Sequence, residues 1–149
     1  MKWRPNALLT LLGGIVTSAL QTRATRSVRD AERDDRRRDA QLAAVTALVA
    51  AIGDHRRAMW RREDLRLAGA DADTLAAARS QSHITRSAVT APLVSVPVLV
   101  PDLAEVATAA ARAAFGIRQA MDADELAALR QTAIDASDQL VKAASRRLS

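Results

Sequence analysis

Gln41–Leu67, QLAAVTALVAAIGDHRRAMWRREDLRL, decides the fold. Within it Leu42, Val45, Leu48, Val49, Ile52, His55 and Met59 follow three- and four-residue steps, the period that lays one apolar stripe along an α-helix. No proline stands between Asn6 and Ala91, so the helix is expected to begin near the amino terminus and to run on to Gly69. From Arg23 to Leu67 such a helix would be about 68 Å long at 1.5 Å per residue. Gly53 is the weak point inside it, because glycine gives up the most backbone freedom on entering a helix. His55 lies on the stripe between Ile52 and Met59, where a lone histidine is more often a hydrogen-bonded core residue than a metal ligand or base. Trp60 reads as packing, and Arg56, Arg57, Arg61, Arg62 and Arg66 form a basic face that Asp54, Glu63 and Asp64 partly balance.

Upstream of this helix the pattern changes twice. Arg23 to Asp39 has almost no apolar face and carries seven arginines and five acids. A helix polar all round needs side-chain pairing, and Glu32 with Arg36, Asp34 with Arg38, and Asp30 with Arg33 stand at the spacings that supply it. Each pair contributes about 0.2 to 0.5 kcal/mol, so this stretch is read as a solvated stalk. Before it, Pro5 to Thr22 is an uncharged run of 18 residues. As a helix it would span about 27 Å, close to the roughly 30 Å of a bilayer's hydrocarbon core. Leu8, Leu12, Ile15 and Leu20 are its candidate anchor residues, and Thr10, Gly14 and Ser18 form a small-xxx-small series of the kind that lets membrane helices approach closely.

Three readings fit that run: a spanning anchor, a helix lying on the membrane or buried in a soluble core, and a cleaved signal peptide. The last is the poorest fit, since Ser18-Ala19-Leu20 ends in leucine and the arginines beyond would oppose export. With seven arginines after the run and Lys2 and Arg4 before it, a spanning anchor would be single-pass, with its carboxyl-terminal domain cytoplasmic.

The charge distribution agrees with that placement. Of the net +5, residues 1–40 hold nine Lys/Arg against five Asp/Glu, whereas residues 41–149 hold thirteen against twelve. The excess therefore sits beside the hydrophobic run, where anionic headgroups attract it. The 149 residues leave room for one core, and the 49% hydrophobic content is rich in alanine, with only 2% aromatic residues. Alanine, leucine and arginine favour helix, so the class is all-α. No cysteine is present, which excludes disulfides and thiolate zinc sites.

Downstream, Asp71 or Asp73 can cap a second helix with Leu75, Ala78, Ser82, Thr85 and Val89 inward. A short loop would set it antiparallel to its predecessor, bringing Arg86 near Glu63 or His55 unless Arg86 extends to solvent. Ala88 to Val100 is uncharged but interrupted by Pro92 and Pro97, and is expected to be a kinked, buried helix, with an extended segment near Pro97 as the alternative. Asp102 opens a third helix with Leu103, Val106, Ala110, Ala113 and Ile117 inward, and Asp122 with Glu125 reads as a capping box for a fourth, with Leu126, Leu129, Ala133, Ala136 and Leu140 on one face. Phe115 and Met121 are expected to fill gaps.

Several stretches resemble a known family. Ala44-Val45-Thr46-Ala47-Leu48, Asp54-His55-Arg56-Arg57-Ala58-Met59-Trp60, Glu63-Asp64-Leu65-Arg66-Leu67, Ser82-His83-Ile84-Thr85-Arg86-Ser87-Ala88-Val89-Thr90-Ala91-Pro92-Leu93 and Ala136-Ser137-Asp138-Gln139-Leu140-Val141 are similar to the KilB-type proteins of streptomycete conjugative plasmids and integrated elements. The resemblance covers nearly the whole chain. It implies a membrane-associated, non-enzymatic role in plasmid transfer or its spread between hyphal compartments, harmful when unregulated, and supplies no functional residues to carry over.

The residues themselves give no catalytic signature. The two histidines lie 28 positions apart, HExxH and CxxC are absent, and no glycine-rich loop offers amides to a phosphate. His55, Glu63 and His83 are not required by their spacing to converge. A nucleic-acid module is disfavoured by the scarcity of aromatic platforms and by the acids interleaved among the stalk arginines. The expectation is therefore an amino-terminal hydrophobic helix (1–22) continuing into a charged stalk (23–40) and an antiparallel bundle of about four helices (41–149). His55, Glu63 and Arg86 form its candidate polar core cluster, and no cofactor or metal is expected. Its partners would be membrane lipid, other proteins such as a transfer apparatus, and a second copy of the chain. A small membrane-active toxin, its proline-containing run entering lipid, is the distinct alternative.

Overall fold

The computed structural model describes the backbone from Asn6 to Ser149, and the side chains of Arg23 and of residues 25–149. Its elements are α1 (Asn6–Leu67), α2 (Ala72–Leu99), a short 3₁₀ turn (Pro101–Leu103), α3 (Ala104–Phe115) and α4 (Ala123–Leu148). Among the described residues there is no strand, in keeping with the all-α reading. The chain divides into two units, Met1–Asp39 and Ala40–Ser149.

In the first unit, the described stalk side chains are exposed. Arg33 donates to Asp30 at 3.0 Å and Arg36 meets Glu32 at 3.5 Å, but no ion pair joins Asp34 to Arg38. The anchor residues Leu8, Leu12, Ile15 and Leu20 and the packing series Thr10, Gly14 and Ser18 lie outside the residues whose side chains are described. Among the described residues, no helix is long and apolar enough to cross a membrane.

The second unit is built on the stripe read from Gln41–Leu67. Val45, Leu48, Ile52, His55 and Met59 are buried along α1. Leu42 is not; it is 58% exposed, while Ala44 is buried in its place. At this end the buried face turns toward Ala44 and Gln41, whose side-chain amide donates to the Leu99 carbonyl at 2.9 Å, which leaves Leu42 at the margin. α1 ends at Gly69, whose φ of +69° lets Ala70 N–H reach the Leu65 carbonyl at 3.0 Å and Gly69 N–H reach Arg66 at 3.2 Å. That double bond pattern satisfies carbonyls a helix end would otherwise leave bare.

Asp71, not Asp73, caps α2. Its carboxylate accepts from Thr74 N–H and from the Thr74 hydroxyl, both at 2.8 Å, and these two donors hold its pKa below the usual value. α2 runs as helix through Pro92 and Pro97 to Leu99, so the extended alternative does not hold. The expected burial of this run is one-sided: Val89 and Val96 are fully buried, whereas Val94 and Val98 are 62% and 74% exposed. Val94, Val96, Val98 and Val100 alternate along the sequence, and the helix and its end put Val94 and Val98 on one side and Val96 and Val100 on the other. Beyond Leu99, Val100 N–H closes on Val96 and the chain turns through the 3₁₀ segment, so α3 starts at Ala104 instead of Asp102.

α3 buries Ala107, Ala110, Ala111 and Ala114 against α4, with Val106 and Ala113 only half-buried. Side chains this small fill little space, so the two helices must pack closely. α4 is capped as expected: Asp122 Oδ1 accepts from Glu125 N–H at 2.8 Å, and Glu125 reaches back to Met121 N–H at 2.6 Å. That reciprocal bond holds the Met121 backbone outside the helix, and its side chain is 83% exposed instead of filling a gap.

Two apolar clusters result. Ala44, Val45, Leu48 and Ile52 pack with Val89, Val96, Val100 and Leu103, with the α3 alanines, and with Leu140 and Ala144. Met59 packs with Ile117, Ala120, Leu126 and Ala133, and half-buried Trp60 lies against this second group with the Arg130 guanidinium 5.4 Å above its ring.

Candidate functional site around His55

On either side of Met59 the α1 stripe turns polar, because its inward positions there are His55 and Glu63 instead of aliphatic residues. α2 answers with Ser82 and Thr85 at its own inward positions. His55 is 1% exposed, and its Nδ1 lies 3.0 Å from Thr85 Oγ1. The Thr85 hydroxyl has one hydrogen, which is directed to the carbonyls of Gln81 and Ser82, each 3.1 Å away. With that hydrogen on a carbonyl, the hydroxyl accepts from His55 Nδ1–H; in the ring's other tautomer Nδ1 accepts from Thr85 and Nε2 carries the hydrogen. Among the described residues, Nε2 of His55 is the buried side-chain polar atom that lacks a hydrogen-bond partner.

The imidazole is held neutral. Burial lowers its pKa from 6.5 to about 4, helped by the positive charge of Arg86 and opposed by a hydrogen bond with the Ser82 backbone. Its ring meets the edge of Phe115, with centroids 5.1 Å apart and planes at 72°. Arg86 does not form an ion pair with Glu63 or reach His55 directly; its guanidinium lies 4.1 Å from the centre of the Phe115 ring. Glu63 is also buried, but its carboxylate accepts from Arg66 Nε at 2.9 Å, one turn along α1. A second nitrogen of the same Arg66 donates to the Ala120 carbonyl, tying the end of α1 to the segment between α3 and α4.

His55, Glu63 and Arg86 thus line one cavity of about 400 Å³, together with Phe115, Arg62 and Arg118. His83 also borders it. Sequence reasoning named the cluster but missed Phe115, which carries the contact between His55 and Arg86; a single phenylalanine in an alanine-rich helix offers no periodic signal of such a role. Among the described residues no group of three His, Cys, Asp or Glu could hold a metal ion. His55 is thus a neutral imidazole with Nδ1 engaged at Thr85, and the Glu63 carboxylate is already paired with Arg66.

Comparison with known proteins assigns this bundle to a family. The description KilB plasmid transfer protein matches residues 42–148, which is most of the chain and all four helices of the second unit. The chain belongs to the KilB family. It is 54% identical over 138 residues to Protein KilB of Streptomyces lividans, covering 93% of this chain and 91% of that relative. No solved structure matches it. The KilB match begins at Leu42, beside the boundary at Ala40 that separates the two units, so it falls on the bundle and its polar cavity.

Proposed function

We propose that this chain is a membrane-associated, non-enzymatic protein that supports the transfer or spread of a plasmid by contacting other proteins or the membrane. Kinship with the KilB plasmid transfer family across residues 42–148 is the observation that carries this reading. The uncharged run from Pro5 to Thr22 supplies a single-pass anchor, and the arginines of residues 23–38 keep the bundle on the cytoplasmic side. The bundle is antiparallel. Supporting this, Gln41 bonds to Leu99 while His55, further along α1, bonds to Thr85, nearer the start of α2. Likewise Ile52 clusters with Leu140, whereas Met59 clusters with Leu126 and Ala133. Close approach through Thr10, Gly14 and Ser18 would pair two copies in the membrane.

The proposal is tested by spread of the plasmid that encodes the chain through a recipient mycelium. Removing residues 1–22 while leaving 23–149 intact should reduce spread to the level of a full deletion. Spread equal to that of the intact chain, with the shortened protein at normal abundance, overturns it.

A further inference from the structure

The 400 Å³ cavity beside His55 has a charge imbalance that the proposed membrane role does not account for. Four arginines border it, Arg62 and Arg66 from α1, Arg86 from α2 and Arg118 from the segment before α4, against one carboxylate, Glu63. Arg66 and Glu63 neutralise each other, and Arg66 is further engaged by the Ala120 carbonyl. Among the described residues Arg62 and Arg118 form no ion pair, and Arg86 has an aromatic face for a neighbour instead of an acid. Three arginines from three parts of the fold therefore border one opening whose one carboxylate, Glu63, is already paired with Arg66.

Two further features lie at the same place. His55 presents the buried Nε2 without a partner. Gln119, which also lines the cavity, has a φ of +58°, a left-handed conformation that is strained for a residue with a side chain.

We propose that this cavity binds a small organic phosphate bearing a hydroxyl group, with its phosphoryl oxygens held by Arg62, Arg86 and Arg118. Three guanidinium forks offer more donors than a single carboxylate can accept, whereas a phosphoryl group presents several acceptor oxygens and up to two charges. The guanidinium carbon of Arg86, 4.1 Å from the centre of the Phe115 ring, is held near the opening by that contact, which uses none of its N–H donors. A hydroxyl both donates and accepts, so an O–H beside the phosphoryl group would partner Nε2 of His55 in either tautomer. At about 400 Å³ the cavity has the size of a small-molecule site. The same chemistry occurs in a soluble polyol phosphate and in a phosphatidylglycerol headgroup, and the site does not depend on whether the amino terminus spans a membrane.

The test compares the full chain, the double variant Arg62→Gln/Arg118→Gln, and a charge-matched control, Arg112→Gln/Arg146→Gln, whose positions are exposed and away from the cavity. One arm titrates glycerol 3-phosphate by calorimetry. The other measures the preference of each protein for vesicles containing phosphatidylglycerol over phosphatidylcholine alone, in which the anchor and stalk contribute equally to all three. The proposal expects the cavity variant to weaken binding by about tenfold or more in at least one arm while the control does not, with the ligand-free unfolding temperature unchanged. A response in the first arm identifies a soluble ligand, and one confined to the second identifies a lipid headgroup. Undetectable binding of glycerol 3-phosphate up to about 10 mM, together with equal vesicle preference in the cavity and control variants, overturns it.

Discussion

Acidification should loosen the bundle through His55, by an amount the structure allows to be worked out. The folded pKa of about 4 lies below the unfolded value of 6.5, so the unfolded chain binds the proton more readily. A histidine shifted downward leaves stability intact above pH 6.5 and removes it as the pH falls toward 4. Between pH 7.5 and 4.5 the expected loss from this one group is about 2.5 kcal/mol, near its full value of about 3.4 kcal/mol for the whole shift. The measurement is urea unfolding of the full chain followed by Trp60 fluorescence in a Trp3→Phe background, since Trp60 packs against the Met59 cluster and reports on the bundle. Other groups titrate over the same range, so the comparison is with His55→Gln, which cannot gain a proton there. Wild type should lose about 1 to 2 M more of its urea midpoint than the variant over this pH interval. Equal pH dependence of the two would refute the neutral, buried imidazole.

Other substitutions test separate parts of the fold. Val96→Arg puts a charge at a fully buried position and should abolish cooperative unfolding, whereas Val98→Arg, at a position 74% exposed, should change stability by less than about 0.5 kcal/mol; circular dichroism melts of both would distinguish a packed α2 from a segment that inserts into lipid. Gly53→Ala should raise the melting temperature by the equivalent of about 0.8 to 1 kcal/mol, because a Cβ there meets nothing closer than Arg57 Nη1 at 3.6 Å; a lowered melting temperature would contradict an open helical site. Asp122→Ala should cost about 1 kcal/mol in urea unfolding, and no loss would mean that the α4 cap is not formed in solution.

Much of this architecture was legible because its signals are local. The stripe from Val45 to Met59, the Gly69 stop and the Asp122–Glu125 cap each depend on a few neighbouring residues, and each occurs where the pattern put it. Helix through Pro92 and Pro97, as expected, persists because Val89, Val96 and Val100 are fixed by the core, a packing gain that outweighs two missing backbone donors. The misreadings arose where distant contacts decide. Leu42 and Met121 carry strong hydrophobic signals but are exposed, one at the edge of an apolar groove with Val141 and Leu148, the other outside a cap. The polar cluster was visible as three inward or flanking residues, yet its actual pairings were not. Arg66 takes Glu63 because it lies one turn away on the same helix, and Arg86 takes Phe115 from an element some thirty residues downstream.

The account rests most heavily on the amino-terminal run, and fractionation tests it directly. Membranes from cells making the full chain, and from cells making a chain that starts at Gln41, are washed with alkaline carbonate and each protein is followed by blotting. Retention of the full chain in the membrane pellet, with the shorter chain in the supernatant, is the predicted result. Release of the full chain into the carbonate wash would contradict a spanning anchor and the placement of the bundle at the membrane.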